Sequence, residues 1–199
     1  MTDLSDIGKA AGTMSHAEFR AAFDPADIVV LRGEVNYDES SAYHNVVLRA
    51  LANRSAPDRV AIVTDLLDHG WEVGEWDLFH LFHNRRRDVE LYLPLVERLL
   101  DGGADPNILE RRGDRPVMLL LSGRTPDTEL APLLDAVLRH DTFDPHARST
   151  NGLTVWRWLH LGSRRLTRAR SIDAIRAYCE RTGRPVPRLG DTPRESFHL

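Results

Sequence analysis

The strongest constraint on this chain is a phrase that occurs twice. Leu99-Leu100-Asp101-Gly102-Gly103-Ala104-Asp105-Pro106-Asn107 is echoed, in altered form, by Leu66-Leu67-Asp68-His69-Gly70-Trp71-Glu72-Val73. Gly70 and Gly103 stand 33 residues apart. A leucine pair followed by glycine reads as the end of an amphipathic helix, where glycine takes the left-handed conformation that other residues resist. Repetition at a period of this size points to a chain built of stacked units. Such chains bury a continuous core between neighbours and expose long faces, which suits a binding surface better than a reaction vessel.

Two further stretches extend the pattern. Gly113-Asp114-Arg115-Pro116-Val117-Met118-Leu119-Leu120-Leu121 places a proline where a helix begins, and there its missing N–H costs nothing. Gly152-Leu153-Thr154-Val155-Trp156 keeps the glycine and a threonine but lacks the proline. Gly113 and Gly152 are 39 residues apart, as are Asp105-Pro106-Asn107 and Asp144-Pro145-His146. The extra length falls in the Gly/Pro-rich connector Ser122-Gly123-Arg124-Thr125-Pro126-Asp127. Together these phrases resemble the ankyrin repeat, in which Gly-x-Thr-Pro-Leu-His-x-Ala-Ala opens a unit and Gly-Ala-Asp-Pro-Asn closes it.

The resemblance implies an all-α, ankyrin-like helical solenoid, each unit a hairpin-like turn followed by two antiparallel helices. Four helix pairs are expected, over 42–53 and 58–69, 76–83 and 88–101, 116–121 and 127–139, and 155–161 and 167–181. The array is irregular. The family's small Ala-Ala pair is Leu81-Phe82 in the second unit and Leu120-Leu121 in the third, and the Thr-Pro-Leu-His tetrad is nowhere intact. Helical periodicity supports the assignment: Leu91, Leu93, Leu95, Val96, Leu99 and Leu100 form one apolar face, and Leu130, Leu133, Leu134, Val137 and Leu138 another. Asp58, Asp88, Asp127 and Thr167 suit N-caps or first-turn positions.

The chain divides into four segments. Residues 1–14, small and polar, are expected to be a flexible tail. Residues 15–40 form an N-terminal helical cap, opened by Ser15 and Glu18 in capping-box spacing. Within it Asp27-Ile28-Val29-Val30-Leu31 is either a strand or a buried turn of helix. Residues 41–182 are the repeat array, and 183–199 a C-terminal tail whose prolines and glycines exclude regular helix.

Composition narrows the function. The chain has 199 residues, 42% hydrophobic and 28% charged, at net −4, enough for a buried core. No apolar run is long enough for a membrane span, and the first residues lack the basic start and apolar core of a signal peptide. The single cysteine, Cys179, excludes an internal disulfide and any multi-cysteine zinc site. These features favour the cytoplasm. Lys9 is the only lysine beside 25 arginines, a bias that fits GC-rich, bacterial codon usage. Charge drifts along the chain, from −5 over residues 1–40 to +7 over 147–199. An array so polarised orients a charged partner.

No phosphate loop, dinucleotide fingerprint, zinc-protease motif or nucleophile elbow is present, so neither catalysis nor a cofactor is expected. His80 and His83 share a helix face, with Asp77 as a third candidate ligand, but polar residues on an exposed inner helix explain them without a metal. Arg85-Arg86-Arg87 is followed by Asp88 and Glu90 and reads as a solvated turn. Arg164, Arg165, Arg168 and Arg170 form a denser cluster, for which a basic cap or an acidic protein partner fits better than nucleic acid. Trp156 falls at a core position of the family and Trp158 at an exposed one, where tryptophan makes an interface anchor. Cys179 reads as a buried structural cysteine.

The expected function is protein–protein recognition without catalysis, by a chain that is a monomer on its own. The resemblance places the contact surface on the concave side, built of turn tips and inner helices. Its turn candidates are Glu72, Glu75, Glu110, Arg111, Arg112, Asp114 and Arg148, and its inner-helix candidates Trp76, His80, His83 and Trp158. Among bacterial proteins the resemblance implies use as an inhibitor, as an immunity protein that neutralises a toxin, or as an adaptor. The alternatives are a nucleic-acid or phosphate binder using the C-terminal arginines, and an enzyme. Neither nucleic acid nor a membrane is an expected partner.

Overall fold

The computed structural model describes residues 4–34, 46–84, 88–110 and 113–189, with backbone alone at 32–34. The described residues form twelve helices: α1 Leu4–Ala11, α2 His16–Ala22, α3 Pro25–Glu34, α4 Val46–Leu51, α5 Ala56–Asp68, α6 Asp77–His83, α7 Val89–Asp101, α8 Pro116–Ser122, α9 Asp127–Arg139, α10 Val155–Leu159, α11 Arg164–Thr167 and α12 Ala169–Thr182. Extended pairing among them is limited to an isolated bridge between Arg148 and Thr154. The protein is thus all-helical. It divides into two compact units, Met1–Asp105 and Pro106–Leu199, so the boundary falls inside the repeated phrase itself.

In the first unit short helices stack on short ones and long on long. Helix α4 packs on α6, and α5 on α7. The short helices bury nearly all they have: Val46, Val47, Leu48, Ala50 and Leu51 from α4, and Leu78, Phe79, Leu81 and Phe82 from α6. Bulky residues replace the small pair expected of a regular repeat, and the core accommodates them. The long helices contribute Ile62, Val63 and Leu66 on one side and Tyr92, Leu95, Val96 and Leu99 on the other. Arg59 is 2% exposed among them. Its Nε donates to the carbonyl of Asn53 at 3.0 Å, and its guanidinium lies 5.6 Å from the Tyr92 ring. Burial pulls that guanidinium down to about 10.

The N-terminal region departs from expectation. Residues 4–11 are not a flexible tail but helix α1, whose Leu4, Ile7, Ala10 and Ala11 are buried where it packs on α4. Helix α2 packs on α5 and begins with the expected capping box: the Glu18 N–H donates to Ser15 Oγ at 3.3 Å, and the Ser15 N–H to the Glu18 carboxylate at 2.9 Å. The Ser15 N–H, and next the Ser15 hydroxyl that donates to the same carboxylate at 2.7 Å, hold the Glu18 carboxyl below its ordinary value. The run 27–31, open between strand and helix on sequence, lies in α3. Residues 35–45, which include the end of the expected cap and the start of the first helix pair, lie outside the described residues, as do Arg85, Arg86 and Arg87.

In the second unit α8 packs on α10, and α9 on α12. The last helix pair is interrupted. Where one helix over 167–181 was expected, the four-residue α11 precedes α12, and Thr167 ends α11 instead of capping α12. Asp127 opens α9 and accepts the Ser171 N–H at 3.1 Å, tying the two long helices together. Cys179 is fully buried in α12, and burial pushes its thiol up. Of the C-terminal tail, residues 184–189 are non-helical. His146 Nε2 lies 2.8 Å from the Pro185 carbonyl, and Arg184 donates to the Asp141 carbonyl at 2.8 Å.

The repeated phrase makes the same helix end twice. The Trp71 N–H bonds to the Leu66 carbonyl at 3.0 Å and the Gly70 N–H to Leu67 at 3.2 Å. One period later Ala104 bonds to Leu99 at 2.9 Å and Gly103 to Leu100 at 3.1 Å. This paired closure requires a left-handed residue, and Gly70 and Gly103 have φ of 97° and 99°.

Candidate functional site

The turns that precede short helices are not alike. Six residues separate Gly70 from the first residue of α6, but twelve separate Gly103 from that of α8. The longer connection carries a tight turn, with the Glu110 N–H on the Asp114 carbonyl at 3.1 Å and the Gly113 N–H on the Glu110 carbonyl at 2.8 Å. Before α10 it recurs 39 residues on: Ser149 bonds to Leu153 and Gly152 to Ser149, both at 2.9 Å. The two turns are joined by side chains. Arg115 Nε donates to the Arg148 carbonyl at 3.0 Å, and the same guanidinium also reaches the Asn107 carbonyl. Asn107 in turn donates to the Thr142 carbonyl at 2.8 Å and accepts the Asp144 N–H at 2.7 Å.

The short helices share one register of exposure. Arg49 in α4, His80 in α6, Leu119 in α8 and Trp158 in α10 are each half-buried. Each lies among buried neighbours: Leu48 and Ala50, Phe79 and Leu81, Met118 and Leu120, and Trp156 and Leu159. His80, Leu119 and Trp158 follow one another at 39 residues. Three positions later Ala52, His83, Ser122 and Leu161 are exposed. Every pair therefore offers a side chain at an equivalent place on a helix fixed from behind by its core face.

The candidate residues distribute between the units. In the first, Glu72 and Glu75 are exposed on the short connection, Trp76 is half-buried at the start of α6, and His80 and His83 follow along that helix. Phe79 binds this group: its ring lies 5.9 Å from Trp76, 5.6 Å from His80 and 6.0 Å from His83. Asp77, weighed as a metal partner of the histidines, is buried, and its carboxylate accepts the Gly74 N–H at 2.9 Å. Among the described residues no group of three or more His, Cys, Asp or Glu side chains is placed to hold a metal ion.

In the second unit Glu110 is half-buried, and Asp114 and Arg148 are exposed on the two turns. Arg111 and Arg112 lie outside the described residues. Trp158, expected at an exposed position, is half-buried, and the Arg164 guanidinium sits 4.3 Å from its ring. Trp156 is core, as expected.

One of the four C-terminal arginines turns inward. Arg168 is 5% exposed. It donates to the carbonyls of Leu121 at 2.9 Å, Thr125 at 2.8 Å and Gly123 at 2.6 Å, closing the end of α8. Burial lowers its guanidinium, against a smaller opposing effect of Asp127. Arg164, Arg165 and Arg170 remain exposed around it. Sequence spacing alone does not separate the buried arginine from its exposed neighbours.

Shallow open grooves lie on the long-helix side of each unit, one beside Leu67, Trp71 and Arg98, the other beside Leu138, Arg139 and Tyr178. No helix among the described residues is long and apolar enough to cross a membrane.

No protein-family model matches the chain, and no curated protein matches it. Among solved structures it is similar to the crystal structure of a functionally unknown protein from Leptotrichia buccalis C-1013-b. The TM-score is 0.68 at 17% identity, over 90% of this chain and 95% of that one. At this identity the likeness concerns the fold.

Proposed function

We propose that the protein is a non-enzymatic protein–protein interaction module, an irregular ankyrin-like array that binds its partner through its turns and short inner helices. The observation that carries this reading is the exposure register of the short helices, where Arg49, His80, Leu119 and Trp158 occupy one equivalent position. Side chains presented from rigid, repeated elements lose little freedom on binding, and tryptophan and arginine are the types that most often dominate interface energy. The groups around the register, Trp76 and His83 in one unit and Arg148 and Asp114 in the other, extend it within each unit. A cytoplasmic role as inhibitor, immunity protein or adaptor fits a short array of this kind.

The reading is tested by isolating the partner from cells of origin and measuring its affinity for variants. Trp76→Ala with His80→Ala, and Leu119→Ala with Trp158→Ala, are each expected to weaken binding by about ten-fold or more. Glu97→Ala and Asp135→Ala, on the long helices, are expected to leave it unchanged. Binding that survives both inner-helix pairs contradicts the proposal.

A further inference from the structure

We propose that residues 161–170 form a docking surface for an acidic, amphipathic protein segment, one that carries carboxylates beside an aliphatic ridge. This rests on the interaction-module reading and names the chemistry of the partner.

Charge is the first argument. From Pro145 to Ile172 the chain holds six arginines and no Asp or Glu. Arg168 is committed to backbone carbonyls, but Arg164, Arg165 and Arg170 are exposed and Arg157 is half-buried. Among the described residues none of these four is paired with a carboxylate, whereas Arg176 meets Asp173 at 2.9 Å and Arg181 meets Asp141 at 3.1 Å. An arginine fork matches a carboxylate with two parallel hydrogen bonds, a match no described residue supplies to these four.

Apolar exposure is the second. Residues 161–167 are all exposed, and Leu166 is 83% and Leu161 41% accessible. Covering such leucines removes aliphatic surface from water, which charge pairing alone does not do. The third argument is rigidity. The three carbonyl bonds of Arg168 pin the segment to the end of α8, and Arg164 rests on Trp158 at 4.3 Å. Groups held in place before binding lose less entropy on contact.

The same features disfavour the other anionic partners. Nucleic acid offers phosphates but no use for exposed leucines, and the Trp158 face that a base would stack on already carries Arg164. An anionic lipid surface would meet a chain of net −4, of which residues 1–105 hold 19 acidic against 10 basic side chains.

The test uses the full chain and four fluorescent probes: an amphipathic helical peptide of Glu and Leu, the same peptide with Leu replaced by Ser, an oligothymidylate, and phosphatidylcholine vesicles containing phosphatidylserine. The Glu/Leu peptide is expected to bind most tightly, with the Ser version weaker by about ten-fold. Arg164→Glu with Arg165→Glu, and separately Leu166→Ser, are expected to weaken the peptide by about ten-fold while the helical circular dichroism is unchanged. Absence of peptide binding, equal binding of both peptides, undiminished binding by the variants, or preference for oligonucleotide or vesicles overturns the proposal. A cellular partner lost with Trp76→Ala and His80→Ala but kept by Arg164→Glu with Arg165→Glu would also overturn it, and would leave the interaction-module reading standing.

Discussion

Gly113 holds its turn with φ of 100°, and a Cβ there would lie 2.0 Å from Thr150 Oγ1. Two penalties therefore meet at one position, a left-handed backbone that alanine resists and a contact with a neighbouring turn that must move. Gly113→Ala is expected to destabilise the protein by about 2 kcal/mol or more, read as a lowered denaturant midpoint. An unchanged midpoint would mean that the turn is not built as described. Gly103, with φ of 99° but open space around its α-carbon, carries the backbone penalty alone, so alanine there is expected to cost less. The glycines were legible as turn formers in the sequence. The Thr150 contact was not, because it joins residues whose proximity depends on the packing of two turns.

Elements are joined at the ends of the short helices by polar side chains, Asn53 and Arg168 buried and Asn84 half-buried. Asn53 donates to the carbonyls of Ala11 and Met14 after α1, both at 2.9 Å, and Asn84 donates to Leu51 at the end of α4 at 2.8 Å. Arg168 does the same for α8. The terminal carbonyls of a helix have no partner within it, and these side chains supply one. Arg168→Met keeps much of the bulk but strands three carbonyls, so it is expected to cost about 3 kcal/mol, whereas Arg165→Met, exposed nearby, is expected to cost little. Equal stability of the two variants would contradict the structural role of Arg168.

At this scale the sequence was most informative. The long helices α5, α7 and α9 and the short α6 and α8 lie within a few residues of their expected ranges, because apolar period, proline and glycine all agree there. Helix α1 was hidden by its small residues: Gly8 and Gly12 lower helix propensity, and only packing on α4 makes the stripe Leu4, Ile7, Ala10 and Ala11 worth burying. The break between α11 and α12 was hidden for another reason. Nothing local marks Arg168 as the residue that turns inward, since its partners lie more than forty residues away.

Over the whole molecule, charge divides as the units do. Residues 1–105 carry net −9 and residues 106–199 net +5. A partner with one acidic and one basic region would be oriented before contact, at a rate that salt suppresses. The candidate residues fall into both units, with Trp76, His80 and His83 in one and Arg148 and Trp158 in the other. The 39-residue spacing of the turns was legible, but it did not single out Leu119 as the counterpart of His80 and Trp158. Exposure was not legible either, as the Arg164 cover on Trp158 illustrates.

The proposed contact between the short helices and another protein can be read by crosslinking in living cells. A photo-reactive amino acid is placed in turn at His83, Ser122 and Leu161, at or just after the ends of short helices, and at Glu97, Asp135 and Asp173 on the long helices, and the cells are irradiated. One common protein adduct is expected at the short-helix positions and none at the long-helix positions. Adducts confined to the long helices, or none at any position, would contradict the interaction-module reading.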